Sequence, residues 1–175
     1  FITITQRTPS VHGGHPFIIE AAIAYGGEIL SSTIGEITLY RYANKIPLLY
    51  DTYNDVSMKV IRKINWRRYG IIIESMPIAF IVHICSTQIP WARLGKEYIA
   101  DKPEIEYEIE WALKTCAREL ARYLRRKERI RRRKYKISIF NKYLPKIAKF
   151  SCEILGLKEK VDIDPLLKRV KEERI

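Results

Sequence analysis

Residues 14–27 read Gly14-His15-Pro16-Phe17-Ile18-Ile19-Glu20-Ala21-Ala22-Ile23-Ala24-Tyr25-Gly26-Gly27. Between Phe17 and Tyr25 nearly every residue is apolar and compatible with an extended chain, which is typical of a strand covered on both faces. The glycine pair that follows supplies the backbone freedom that a turn requires. This stretch therefore predicts a buried strand, from which the rest of the fold extends.

Three more segments carry the pattern of regular elements. Residues Ile37–Ala43 alternate between two faces, with Arg41 on the same face as Ile37 and Leu39, and predict a second strand paired with the first. Ile78–Ser86 is a continuous apolar run that predicts another buried strand. Between them, a short amphipathic helix is predicted behind the polar stretch 52–55, which can cap a helix start. Its apolar positions are Val56, Val60, Ile61 and Ile64. The fold class is α+β, with a small sheet backed by helices.

From Pro103 onward the apolar spacing becomes helical. The apolar face comprises Ile105, Ile109, Ala112, Leu113, Cys116, Ala117, Leu120 and Leu124. Pro103 suits a first helical turn, and Glu104, Glu106 and Glu108 complement the positive end of a helix. After Leu124 the apolar face lapses, while residues 118–136 hold 11 basic against 2 acidic residues, a net charge of +9. We expect a long helix that leaves the core as a basic stalk.

Two shorter helices are predicted in the tail. One is amphipathic and is stopped by Gly156. Its apolar face is formed by Tyr143, Leu144, Ile147, Ala148, Ser151, Ile154 and Leu155. The other begins at Asp164-Pro165 and has Leu166, Leu167 and Val170 on one side. Neither has enough apolar partners for a core of its own, so we expect them to dock on a partner or to fold back on the stalk. The predicted division is a core domain, 1–124, and a stalk with helical extension, 125–175.

Composition narrows the classes of function. The formal net charge of +12 and the isoelectric point near 9.7 favour polyanionic partners such as nucleic acid. No apolar run reaches the ~20 residues that cross a bilayer, which predicts a soluble, intracellular protein without a membrane partner. Three widely spaced cysteines fit neither a disulfide framework nor a zinc cluster, and His12 and His15 lack further ligands nearby, so no metal site is predicted.

Catalytic motifs are absent from the sequence. The eight glycines do not form a phosphate-binding loop of Walker or Rossmann spacing, and no Ser/His/acid or Cys/His set is present. One candidate is Lys96, preceded by Gly95, in the segment Gln88–Asp101 between the last strand and the long helix. A lysine on a loop can reach a phosphate held by a different domain, although a loop lysine is more often only solvated.

Basic and aromatic residues are interleaved at Trp66-Arg67-Arg68-Tyr69. Two guanidinium groups between aromatic rings can bind backbone phosphates and stack, without reading sequence. The alternative is that Trp66 and Tyr69 anchor a helix end in the core while the arginines are merely exposed, and the sequence does not decide between the two. The stalk adds a second candidate DNA-binding set, namely Arg125, Arg126, Arg129, Arg132 and Arg133. Its alternative is a solvated helix face.

Several segments together resemble one protein family, the B subunits of archaeal type IIB DNA topoisomerases (topoisomerase VI). They occur in the order of the family over nearly the whole chain. The segments are Gly14–Gly27, Leu39–Asp51, Trp66–Gly70, Ser86–Pro90, Gly95–Glu97 and Tyr143–Ala148. The resemblance implies a transducer domain whose fold is similar to the second domain of ribosomal protein five, with a left-handed β-α-β crossover. In the family, a GHKL ATP-binding domain and a helix-two-turn-helix domain come first. Because Phe1 is not an initiator methionine, we expect such a part to precede this chain.

The resemblance also implies roles for the candidate residues. Lys96, with Gly95, matches the switch lysine that contacts the γ-phosphate of ATP, bound with Mg²⁺ mainly by the amino-terminal domain. Residues 66–69 match the family's WKxY element, which is associated with DNA contact, with Arg67 in place of the usual lysine. DNA cleavage belongs to a tyrosine of the A subunit, so none of the 11 tyrosines here is proposed as a nucleophile.

By the same resemblance, two B subunits join two A subunits in an A2B2 heterotetramer that is associated with the nucleoid in the cytoplasm. ATP would dimerise the B subunits, Lys96 would couple the nucleotide to transducer rotation, and the long helix would carry the movement to the A subunit. Two other functions stay open: a non-catalytic nucleic-acid-binding module with a ribosomal-protein-like fold that uses the basic helix on RNA, and a structural adaptor with a solvated stalk.

Overall fold

The computed structural model describes residues 1–29, 37–156 and 162–172. The elements in chain order are β1 (Ile2–Gln6), β2 (Ser10–His12), β3 (His15–Tyr25), β4 (Thr38–Ala43), β5 (Ile46–Pro47), α1 (Val56–Lys63), a 3-10 turn (Trp66–Tyr69), β6 (Ile78–Ser86), α2 (Pro103–Leu155) and α3 (Asp164–Glu172). The chain divides into two compact units, Phe1–Leu124 and Arg125–Ile175. The first contains the sheet.

The sheet is mixed and six-stranded, in the order β1-β3-β6-β4-β5, with β2 also paired to β3. Strand β6 is antiparallel to β3, with Ile23 opposite Phe80, and parallel to β4, with Tyr40 opposite Ile81. The predicted pairing of the second strand with the first is therefore wrong, because β6 lies between β3 and β4. Helix α1 connects β4 to β6, and such a crossover is what parallel neighbours require. The left hand of that crossover stays a prediction.

The hydrophobic core lies between the sheet and the helices α1 and α2. Every residue of the predicted apolar face of α2 from Ile105 to Leu120 is buried, which confirms that helix and its orientation. Ile19, Ile23 and Phe80 of the sheet belong to the same apolar cluster. The opposite face of the sheet is open: the Ile4 side chain of β1 is 73% exposed. The predicted strands at β3, β4 and β6 are confirmed, and β1, β2 and β5 add short edge segments.

Helix α1 is confirmed with the predicted cap. Asp55 has an extended conformation, and its side chain accepts a hydrogen bond from the Ser57 amide at 2.8 Å. This bond satisfies one of the amides that a helix start leaves unpaired. The helix buries Val56, Val60 and Ile61 against the core. The residue that caps the start of α1, Asp55, is itself completely buried.

In the second unit, α2 continues to Leu155, so the amphipathic helix predicted around residues 143–155 is not a separate element. Residues 137–142 contain neither glycine nor proline to end a helix, and Pro145 is accommodated inside α2. Gly156 ends the helix with a φ of 66°, as predicted. Helix α3 begins at Asp164 as predicted, while the Val170 side chain lies outside the described residues. None of the described helices is both long and apolar enough to cross a membrane.

The environments of two cysteines predict different reactivities. Cys116 on α2 is fully buried and its Sγ donates to the Ala21 carbonyl at 3.4 Å, whereas Cys85 on the open sheet face is exposed. Burial raises the pKa of the Cys116 thiol, so less of it is thiolate at mildly alkaline pH. We expect iodoacetamide at pH ~8 to modify Cys85 in the folded protein and Cys116 only after denaturation, as measured by peptide mass spectrometry. Equal labelling of both in the folded state would contradict this packing.

Candidate functional site

The segment that carries Lys96 forms a narrow loop, named here the Lys96 loop (residues 88–101). Its two legs are joined by an antiparallel bridge between Trp91 and Ile99. The Ala100 amide donates to the Pro90 carbonyl at 2.8 Å, which closes the base of the loop. The intervening residues 92–96 are exposed, so the loop presents a tip on a fixed base.

The outgoing leg is held at the end of β6 by the turn that follows β4. The Asn44 side-chain amide donates to the Ser86 carbonyl at 3.0 Å and accepts from the Ser86 amide at 2.9 Å. The Ser86 hydroxyl donates to the Pro16 carbonyl at 3.0 Å, which adds a bond to the start of β3. Three sheet strands therefore converge where the Lys96 loop begins.

The returning leg is held by a buried carboxylate. Asp55 Oδ2 accepts a hydrogen bond from the Ile99 amide at 3.1 Å and lies 3.1 Å from Arg41 Nη1. The side chains of Arg41 and Asp55 are 1% and 0% exposed, so this ion pair is inside the core. The sequence places Arg41 on the apolar face of its strand, which was the signal that this arginine needs a buried partner. The pair itself was not predicted.

Arg41 also holds the chain that leads into α1. Its Nη2 donates to the carbonyls of Leu48 at 3.2 Å and Tyr50 at 2.7 Å, and to the Thr52 hydroxyl at 3.0 Å. Neither the guanidinium Nε nor Nη1 has a hydrogen-bond partner within the described part of the chain, so Nη1 meets Asp55 as an ion pair without hydrogen-bond geometry. One buried side chain thus joins β4, the 48–52 segment and the capping residue of α1.

At the tip of the loop, Lys96 has a φ of 53°, and its amide donates to the Arg93 carbonyl at 3.1 Å. Its side chain is exposed, and no ion pair or hydrogen bond of that side chain is found among the described residues. Gly95, beside it, is also exposed. An exposed ammonium group at the tip of a supported loop can form an ion pair with a phosphate of a nucleotide.

Within the described ranges, no group of three or more His, Cys, Asp or Glu side chains is arranged to hold a metal ion. The described residues at the loop tip fit one part of a nucleotide site, a contact from Lys96 to a phosphate.

The 3-10 turn at residues 66–69 separates its two aromatic side chains from its two arginines: Trp66 lies in the core and Tyr69 packs half-buried against it. Trp66 is 6% exposed, its Nε1 donates to the Ile61 carbonyl at 2.7 Å, and its ring packs 4.9 Å from that of Phe80. Its indole is thus an anchor in the core and, in this position, cannot stack on DNA. Arg67 and Arg68 are exposed, and no carboxylate partner for either is found in the described chain. Gly70 ends the turn in the left-handed region, at a φ of 72°.

The sequence analysis did not identify Arg62, a basic residue close to the 3-10 turn. Arg62 of α1 lies over the exposed ring of Tyr53, 4.1 Å from its centroid. Arg62 and Arg67 both line a cleft of about 340 Å³ that also contains Asn65. The sequence does place Arg62 on the polar face of the predicted helix. Its contact with Tyr53, however, depends on how the segment before the helix folds.

The predicted stalk arginines all lie on α2 in the second unit. Arg125, Arg126, Arg129, Arg132 and Arg133 are exposed. Arg132 forms an ion pair with Glu128 at 3.0 Å, one turn earlier on the same helix, where both side chains remain largely exposed. An exposed pair of this kind contributes little to stability. This segment therefore presents exposed basic side chains with a net positive charge.

Comparison with known proteins accounts for most of the chain. The family described as "Topoisomerase VI B subunit, transducer" matches residues 1–136. The B subunit of type 2 DNA topoisomerase 6 from Metallosphaera sedula is 40% identical over 173 residues, covering 99% of this chain and 32% of that protein. The protein of the same name from Pyrobaculum aerophilum is 47% identical over 148 residues, covering 85% of this chain and 26% of that protein. The chain thus spans about a third or less of these relatives.

Among solved structures, the B subunit of DNA gyrase from Myxococcus xanthus is similar at 17% identity and a TM-score of 0.41, covering 65% of this chain and 33% of that one. That similarity is too low to carry an argument. With the family match, the mixed sheet and its supported loop define a transducer domain. The chain belongs to the topoisomerase VI B-subunit transducer family, which confirms the resemblance identified from the sequence.

The buried ion pair predicts a large effect on stability. Arg41→Ala leaves the Asp55 carboxylate buried without its charge partner, so we expect the free energy of unfolding to fall by about 3–5 kcal/mol. The matched control is Arg122→Ala, which removes an exposed pair with Glu119 and is expected to change it by about 0–1 kcal/mol. Urea denaturation followed by circular dichroism measures both. Similar small losses for the two variants would show that the buried pair does not support the fold.

Proposed function

We propose that this chain is the transducer part of the B subunit of an ATP-dependent type IIB DNA topoisomerase. In this role it couples ATP binding and hydrolysis to the passage of one DNA duplex through another, in relaxation and decatenation. The observation that carries the proposal is the exposed Lys96, which has no partner among the described residues, at the tip of a loop whose two legs are both bound to the core. The match to the transducer family supports it.

Lys96 is proposed to contact the γ-phosphate of a nucleotide held mainly by another domain. ATP with Mg²⁺, when bound, supplies the phosphoryl group that is hydrolysed. The ammonium group of Lys96 offsets negative charge that builds up on the phosphate oxygens. Because both legs of the loop are fixed, little backbone entropy is lost when Lys96 makes this contact.

DNA is proposed to bind at two places on this chain. In the first unit, Arg67 and Arg68 bind backbone phosphates, while Trp66 holds the turn in place from inside the core. In the second unit, the contacts come from the exposed arginines of α2, which are Arg125, Arg126, Arg129, Arg132 and Arg133. All of these contacts are to phosphates and so carry no sequence preference.

The family match supports the proposed partners. Residues 1–124 act as the transducer core, and residues 125–175 carry its movement to the DNA-cleaving A subunit, in an A2B2 assembly with a second B subunit. We place this assembly on the nucleoid in the cytoplasm, and the cleaving tyrosine in the A subunit. A non-catalytic nucleic-acid-binding module is the alternative, favoured by the exposed basic segment of α2 alone, and it requires no nucleotide.

The role of Lys96 is tested with the full-length B subunit assembled with its A partner. We expect Lys96→Ala to reduce ATP-dependent relaxation of supercoiled DNA at least about tenfold, because a phosphate contact made in a water-poor site contributes ~1.4 kcal/mol or more. Lys45→Ala is the matched control, since Lys45 is another exposed lysine with a positive φ in a turn. Relaxation by Lys96→Ala at the rate of the control would refute the proposal and leave the binding-module alternative.

The DNA contacts of the 3-10 turn are tested by salt dependence. In the same assembly, the double variant Arg67→Ala/Arg68→Ala should bind duplex DNA more weakly. The slope of log K against log salt should fall by about 1.8, since each phosphate contact contributes about 0.9. The control Lys45→Ala/Lys114→Ala removes the same charge elsewhere. A slope equal to that of the control would exclude the turn as a DNA contact. Fluorescence anisotropy of a labelled duplex provides the measurement.

A further inference from the structure

Helix α1 lies between the two proposed sites of the first unit. At its amino-terminal end, Asp55 caps the helix and accepts a hydrogen bond from Ile99, on the returning leg of the Lys96 loop. At its carboxyl-terminal end, the chain passes within three residues into the turn that carries Arg67 and Arg68. The helix has eight residues, so about 12 Å of rigid backbone separates its ends.

A second contact joins α1 to the same loop. Lys59 Nζ lies 3.0 Å from Asp101 Oδ2, two residues after Ile99. This ion pair is on the surface, with both side chains about half exposed, whereas the contact through Asp55 is completely buried. The helix and the end of the loop are therefore joined by one internal and one external contact, one helical turn apart.

The other end of α1 is joined just as closely to the DNA-contacting turn. Trp66 donates to the carbonyl of Ile61, and the Ile64 amide donates to the Val60 carbonyl at 3.1 Å. A shift of the turn must therefore move the last turn of α1, or break a buried hydrogen bond. An intact helix transmits such a shift along its length, because it is a rigid element.

We propose that α1 is a link between DNA and the nucleotide-contacting loop, in which Asp55 and the Lys59–Asp101 pair position Lys96 in response to DNA bound at Arg67 and Arg68. The inference rests on the proposed function and names the regulation of the same site. Asp55 and Lys59 are positioning residues, since neither touches the nucleotide. The returning leg follows the helix because releasing the Ile99 amide from Asp55 would leave buried polar groups unpaired.

A purely structural role is the competing explanation, in which Asp55 only caps α1 and neutralises Arg41. In that case the loop and the turn would be independent, and the surface pair would have no effect on the response to DNA. Substitutions of the buried residues Asp55 and Arg41 do not distinguish the two explanations well, because they also destabilise the fold. The exposed Lys59–Asp101 pair tests it well, because its loss leaves the core intact.

The experiment uses the full-length B subunit with its A partner and measures ATP hydrolysis with and without duplex DNA. We expect Lys59→Asp and Asp101→Lys each to lower the ratio of the two rates about two- to fivefold, the range that an exposed pair contributes. The affinity for DNA should stay unchanged, because neither residue is among the proposed DNA contacts. The double exchange Lys59→Asp/Asp101→Lys should restore the ratio. Lys114→Asp, which breaks the pair with Glu110 within α2, is the control for the charge change.

Four results would overturn the link: single variants with the wild-type ratio, a control that lowers the ratio equally, a double exchange that fails to restore it, or a lowered ratio that is caused by weaker DNA binding. Failure of the link is separable from failure of the proposed function. If Lys96→Ala abolishes relaxation while the exchanges have no effect, only the link is wrong; if Lys96→Ala retains relaxation, the nucleotide role of the loop is wrong.

Discussion

The ion pair between Arg41 and Asp55 is the contact on which the organisation of the first unit depends. Taking two charges out of water costs several kcal/mol for each ion, and only their mutual attraction and further hydrogen bonds offset that cost. Here the bonds are supplied mainly by the backbone: Arg41 binds two carbonyls and a hydroxyl of the 48–52 segment, while Asp55 accepts from the amides of Ser57 and Ile99. Satisfying the charges therefore defines the path of three segments at once.

This arrangement explains how the exposed tip of the Lys96 loop is held in a defined position. The base of the Lys96 loop is bound on one side through Ser86 and on the other through Asp55, and both residues are buried. The tip lacks such contacts, and its lysine is unpaired among the described residues, whereas Lys59, Lys63 and Lys114 all bind carboxylates. The hydrogen bond that Lys63 donates to Glu106 is the first cause of the raised pKa of Lys63. A free charge on a supported loop is suited to meeting a ligand from outside the domain.

Local pattern was sufficient for most elements and insufficient for their arrangement. Strands β3 and β6 were predicted from continuous apolar runs, and helices α1 and α2 from apolar residues at helical spacing. Each of these patterns reflects burial within a single segment. The pairing of β4 with β6 was not predicted, since it depends on where a third strand inserts. The continuity of α2 past residue 136 was missed, because the new apolar face at residues 143–155 resembles that of a separate amphipathic helix. The short edge strands have too few residues for a periodic signal.

For the site, the sequence alone determined the family, the basic character of the chain and the positions of Lys96 and residues 66–69, because these depend on residue types in a fixed order. Only the tertiary structure decided that Trp66 is an anchor while Arg67 and Arg68 are exposed, and that Asp55 holds Ile99 across 44 residues of chain. Burial and hydrogen-bond partners are properties of neighbours in space. A charge such as Arg41 indicates by its position on an apolar face that it requires a partner, but which carboxylate meets it is settled only when the strands and helix pack together.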